Sequence, residues 1–185
     1  MDFYYLGLDK KSARFIQGID NEKRHSLGFR WWGKNEALDY NFEYIRQFRT
    51  FGKDDIKAFT LATDTGYTFN FQPHKIRISL RGDISSGDDD PKDSDLETFN
   101  LLFGKGKHLG QLAPYGPVNL FELHPKISFN FFEKYKIVTM WEFLWRYSTD
   151  DSIYSIANKP LRSGNLSYAR YVGNQAILEN TMKMD

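Results

Sequence analysis

The chain contains no cysteine, which excludes disulfides and thiolate metal sites. Its charges nearly cancel, with 25 Lys and Arg against 24 Asp and Glu for a net +1. No global field therefore draws it to nucleic acid, and any electrostatic work must be local. Mean hydropathy is −0.58 and no long apolar run occurs, so no helix is expected to cross a membrane. That absence leaves a membrane β-barrel open, because barrel strands are apolar only at alternate positions. Met1 is followed by Asp2-Phe-Tyr-Tyr5, with neither the basic nor the apolar region of a signal peptide. An exported protein needs one, so the chain is expected either to be cytosolic or to lack its natural start. Helical periodicity and internal repeats are also missing. A length of 185 residues suits a single domain, expected over 1–185.

What is abundant is aromatic side chains, at 17%, as interfacial belts require. The clearest pattern is Lys75-Ile-Arg-Ile-Ser-Leu-Arg-Gly-Asp83. Successive strand residues face opposite sides, so Ile76, Ile78 and Leu80 share one face, while Lys75, Arg77, Ser79, Arg81 and Asp83 share the other. The contrast recurs. Leu38, Tyr40, Phe42 and Tyr44 oppose Asp39, Asn41 and Glu43. Phe121, Leu123, Ile127, Phe129 and Phe131 oppose Glu122, His124, Lys126, Ser128 and Asn130. Trp141, Phe143 and Trp145 oppose Glu142 and Arg146. A sheet with lipid on one side and an aqueous lumen on the other has this signature.

Turn clusters divide the chain into about eight expected strands, at 2–8, 23–33, 38–49, 55–70, 74–85, 118–132, 136–147 and 167–179. Pro125 falls inside one of them, which either weakens that strand or marks a bulge. The links at 9–22, 86–117 and 148–166 are long, that at Arg49–Asp54 is intermediate, and those at 34–37, 71–73 and 133–135 are short. Long loops gathered on one end and tight turns on the other is the outer-membrane arrangement. The register of 167–179 stays open. A soluble lipocalin-like barrel binding a hydrophobic small ligand shares the alternation with its faces exchanged. Against it stand aromatics clustered at strand ends, and rings such as Trp31, Phe129, Trp141 and Trp145, too bulky for a narrow interior.

Other constellations carry less. Asp83–Glu97 holds six aspartates and one glutamate, suited either to a hard cation or to a solvated loop bridged to lipopolysaccharide by divalent ions. It lacks the EF-hand spacing. His25, His74, His108 and His124 form no ligand motif, so no metal site and no cofactor are expected. Gly104-Lys-Gly-Lys107 has no following helix to make a phosphate loop. No carboxylate pair is marked for catalysis, and no enzyme activity is expected.

The ordered set Tyr4-Tyr-Leu-Gly-Leu-Asp9, Asp64-Thr-Gly-Tyr-Thr-Phe69, Ser86-Gly-Asp-Asp-Asp-Pro91, Thr98-Phe-Asn-Leu-Leu-Phe103, Gly116-Pro-Val-Asn-Leu120, Leu123-His-Pro125, Trp145-Arg146 and Ala169-Arg-Tyr-Val-Gly173 resembles the C-terminal part of the alginate export family. Leu101 and Gly104 stand where that family commonly has proline. The resemblance implies an all-β, antiparallel up-and-down meander of a transmembrane outer-membrane β-barrel in a Gram-negative bacterium. It also implies strands beyond those present here, so an open, curved, incomplete barrel is expected. The implied function is porin-like passage of an anionic, alginate-like polysaccharide, with outer-membrane lipid and lipopolysaccharide as neighbours and no nucleic acid. The implied basic lining is Lys75, Arg77, Arg81, Lys126, Arg146 and Arg170, joined by Arg24 and Arg30. Asp83, Glu122 and Glu142 would hold those cations in place and keep binding weak enough for release.

Overall fold

A computed structural model describes residues 1–102, 115–132 and 134–182. The expected turn at Glu133, the Gly104-Lys-Gly-Lys107 segment and His108 lie wholly or partly outside them. Eight antiparallel strands make one meander: β1 (Asp2–Phe15), β2 (Gly18–Lys34), β3 (Leu38–Phe51), β4 (Asp54–Phe71), β5 (His74–Ser85), β7 (Leu120–Phe131), β8 (Tyr135–Arg146) and β11 (Tyr171–Met182). A two-residue strand, β6 (Asp95–Leu96), lies parallel to β4. A small ladder, β9 (Ile153–Tyr154) with β10 (Pro160–Arg162), stands apart from the sheet. The sheet is open, because β1 and β11 end it without pairing to each other.

Burial separates the two faces as the alternation demands. Glu22, Arg24, Ser26, Gln47, Ser79, Asp83, Glu122, His124 and Glu142 are buried on what we call the inner face. Trp31, Trp141 and Tyr67 are 50%, 49% and 47% exposed on the outer face. Rings turned outward are the reverse of a lipocalin-like interior. They stack along the strand instead, with Trp141, Phe143 and Trp145 in successive contacts of 6.2 Å.

The first two strands are longer than their pattern suggests. The expected long link at 9–22 is a two-residue turn, because pairing continues through a bulge between Lys10 and Ala13. Ser12 takes a φ of 59° there. The bulge moves the inward side chains from Tyr4, Leu6 and Leu8 to Ala13 and Phe15, and this change of parity hides the strand. The link expected at Arg49–Asp54 shrinks to a turn at 52–53, where Gly52 sits at φ 58°. Pro125 brings no register shift, since Leu123↔Phe143 and Lys126↔Met140 keep one alignment. The strand at 167–179 begins later, at Tyr171, and pairs Gln175 with Glu142 after a bulge at Gly173. Two long excursions, 86–119 and 147–170, do leave the same end of the sheet, but that end also carries the tight turns after β1 and β3.

The excursions supply the apolar core by folding over the inner face. Ala13, Phe15, Phe51, Ile56 and Ala58 on β1, β3 and β4 pack against Leu96, Phe99, Val118 and Tyr154. Phe15 meets Phe51 edge-on at 5.3 Å and Tyr154 at 6.2 Å. Each large side chain buried this way contributes about 1.5–3 kcal/mol.

Candidate functional site on the inner wall

Three tiers of polar residues cross the inner face. Nearest the excursions, Arg24 is completely buried. Its Nε donates to Glu22 Oε1 at 2.6 Å, and its Nη1 donates to Gln47 Oε1 at 2.7 Å and to the Thr98 carbonyl at 3.1 Å. Gln47 donates to the Asn100 carbonyl at 2.8 Å, and Asn100 Nδ2 returns to Glu22 Oε1 at 2.9 Å. The guanidinium also lies 5.5 Å from the Phe15 ring centroid, within cation–π range. This tier clamps residues 98–100 onto β2 and β3. The wall is closed here by protein.

The middle tier is a row drawn from six neighbouring strands. Register aligns Asn41 with Asp64, Asp64 with Arg81, Arg81 with His124, and Glu142 with Gln175. The alignment of β7 with β8 carries His124 onto Glu142. Arg81 is held by Asp83 on its own strand. His124 Nε2 lies 3.1 Å from Glu122, and its Nδ1 lies 3.2 Å from Glu142. Gln175 donates to the other Glu142 oxygen. Just below, Arg77 bonds Asp39 at 2.5 Å and Asp64 at 2.8 Å. It reaches them across Gly66, where a Cβ would come within 2.3 Å of the guanidinium.

The lowest tier is lysine-rich. Register places Lys75 beside Asn130 and Asn130 beside Lys136, while Lys126 aligns with Ser79. Lys75, Lys126 and Lys136 make no ion pair with a described residue. Lys75 and Lys136 open, with Lys134, Asn130 and Thr181, onto a cavity of about 370 Å³.

Of the residues singled out from sequence, Lys75, Arg77, Arg81, Asp83, Glu122, Lys126 and Glu142 thus share one wall. Arg146 and Arg170 do not join them. Arg146 faces inward but is capped by the second excursion, donating to carbonyls of Thr149, Gly164, Ser167 and Ala169. Its role is to fold that excursion. Arg170 precedes β11 and lies exposed beside Ile84, Phe121 and Trp145 on the outer side. Arg30 is on the inner face, donating to Asn41 at 2.8 Å. Lys136 was missed because Val138 and Met140 made its strand look apolar on both faces; alignment with Asn130 identifies it.

The acidic loop does not gather its carboxylates. Asp95 pairs with Lys57 at 2.6 Å, while Asp90 and Asp93 cap backbone N–H groups of their own turns. Asp88 goes inward to a junction between the excursions. There Asp151 accepts from the Asp88 N–H at 2.9 Å, and from Thr98 O–H, Ser152 N–H and Tyr154 O–H at 2.6 Å each. Burial, with Asp151 nearby, pushes the Asp88 carboxyl up from 3.8 to about 7 against the donors from Glu97 N–H and Gln17. Burial pushes Asp151 up as well.

The pH dependence follows from these directions. Below about 4, Asp88 is protonated in folded and unfolded chains alike. Between about 4 and 7 the unfolded chain releases a proton that the folded chain keeps, so stability falls as pH rises. The thermal unfolding midpoint in detergent should therefore drop over that interval. Asp88→Asn should flatten the slope, and an unchanged slope in that variant would refute the assignment.

An amphipathic meander with apolar rings outside and ionised tiers inside defines a membrane-spanning β-barrel wall. The chain belongs to the alginate export family, whose model matches residues 1–184, a family of outer-membrane β-barrel porins for polysaccharide export. No curated protein shows significant sequence similarity to it.

Proposed function

We propose that this chain forms part of the wall of an outer-membrane channel in a Gram-negative bacterium that passes an anionic, uronate-rich polysaccharide without chemical change. The observation that carries the proposal is the inner face itself, charged across every tier and bearing Lys75, Lys126 and Lys136, which make no ion pair with a described residue. A polyuronate bears a carboxylate on each sugar. Lys75 and Lys136 offer it point charges at the end bearing the tight turns at 35–37 and 72–73, and Lys126 offers one further along the wall, level with Ser79. Arg77 and Arg81, already gripped by Asp39, Asp64 and Asp83, offer fixed dipolar contacts further in. Neutralised arginines suit a conduit, because conduction needs binding weak enough for release. The outer rings, including Trp31, Tyr67 and Trp141, meet lipid, and Arg170 at the rim lies where lipopolysaccharide headgroups would sit.

The test is planar-bilayer conductance of the closed channel that contains this wall, in a salt gradient, with and without oligouronate. Lys75→Glu, Lys126→Glu and Lys136→Glu together should shift the reversal potential toward cation preference and weaken oligouronate block. The shift should shrink at 1 M salt, where the Debye length is about 3 Å. Reversal potentials indifferent to all three changes would overturn the proposal.

A further inference from the structure

We propose that Asp83, Glu122 and His124 bind one divalent transition-metal ion on the inner wall, with Glu142 orienting the imidazole from behind. One ligand atom from each of the three lies within 4.8 Å of the others, close enough that a small side-chain adjustment would bring all three to about 2.0–2.2 Å from a common ion. All three are buried, at 4%, 1% and 0% exposure. They come from two adjacent strands, since Asp83 stands opposite Glu122 and His124 follows two residues later on the same face.

A second observation points to a missing cation. Glu122 Oε1 is buried without a hydrogen-bond partner among the described residues, whereas Glu142 Oε1 and His124 Nδ1 face each other. A carboxylate oxygen withdrawn from water and left unbonded is costly, and an ion seated against Glu122 would compensate it directly. Glu142 is placed for a different part. Its Oε1 lies 3.2 Å from His124 Nδ1, while Nε2 faces Glu122 at 3.1 Å. A carboxylate behind one ring nitrogen and a metal before the other is the usual support of a metal-bound histidine. Gln175 donates to Glu142, and Arg81, opposite His124 in the register, donates to Asp83. One imidazole with two carboxylates suits Zn²⁺, Mn²⁺ or Co²⁺. Ca²⁺ takes six to eight oxygen ligands and Mg²⁺ keeps a shell of waters.

The competing arrangement is an imidazolium bridging Glu122 and Glu142 with no metal. Titration calorimetry of the chelator-treated full chain, folded in detergent, separates the two, using Zn²⁺ as the probe and the Co²⁺ absorption spectrum as a second reading. One ion per chain is expected, with binding lost in His124→Ala and in the near-isosteric Glu122→Gln. Glu142→Gln should weaken binding roughly 10–100-fold. The triple variant His25→Ala, His74→Ala, His108→Ala should bind as the parent does, and Mg²⁺ should not compete. Zn²⁺ affinity no tighter than millimolar in the parent would overturn the site, as would binding that survives both His124→Ala and Glu122→Gln. Neither result depends on conductance.

Discussion

Arg24→Ala should cost roughly 3–5 kcal/mol of stability, the loss expected when one member of a buried ion pair is removed and the other stays. Glu22 is fully buried on the same strand and accepts from Arg24 at 2.6 Å. Without the guanidinium its only remaining donor among the described residues is Asn100 Nδ2. The loss extends beyond the pair, because Arg24 also donates to Gln47 and to the Thr98 carbonyl. Residues 98–100 would lose their seat on β2 and β3. Urea unfolding in detergent, followed by tryptophan fluorescence, measures the loss. Replacing both partners, as Arg24→Met with Glu22→Leu, should be milder because no lone charge stays buried. A single Arg24→Ala variant as stable as the parent would show that the network contributes nothing net.

Asp151→Ala should be the next most damaging change, at roughly 2–4 kcal/mol, because it strands several buried donors that each cost about 1–3 kcal/mol when unsatisfied. Asp151 lies on the second excursion and accepts from Asp88 and Thr98 on the first. It also accepts from Tyr154, whose ring belongs to the apolar core. One carboxylate thus couples both excursions to the sheet. The damage should be local, so limited proteolysis is the discriminating measurement. Cleavage should rise within 86–102 and 147–170 while the β1–β5 ladder stays protected. Asp151→Asn, which keeps an acceptor and the same shape, should be cut much less. Equal protection of the excursions in Asp151→Ala and the parent would contradict this role.

Much of the strand architecture was legible in the residues, for a local reason. Side-chain direction in a strand depends only on parity, so Lys75 to Asp83 or Leu38 to Tyr44 reveal their faces without knowledge of their neighbours. The separation of rings from charges follows from that periodicity, while burial in the folded sheet decides that the rings face outward. Parity fails where the backbone departs from the two-residue repeat. The bulge at Lys10–Ala13 concealed half of β1, and Gly173 concealed the register of β11.

The inner wall was legible residue by residue but not as a set of contacts. Arg77 and Arg81 were identifiable as inward cations from their own strand. That Arg77 reaches Asp39 two strands away, over Gly66, depends on the register of β3, β4 and β5. Arg146 read as another lumen cation because nothing local shows that 164–169 returns to surround it with carbonyls. His124 matched no ligand motif, since its neighbours Asp83 and Glu142 lie 41 and 18 positions away in sequence. By itself the sequence determined which side chains share a face, because that is set within each strand. Only the tertiary structure decided which of them meet, because strand register and the path of the two excursions are set by pairing and packing between distant segments.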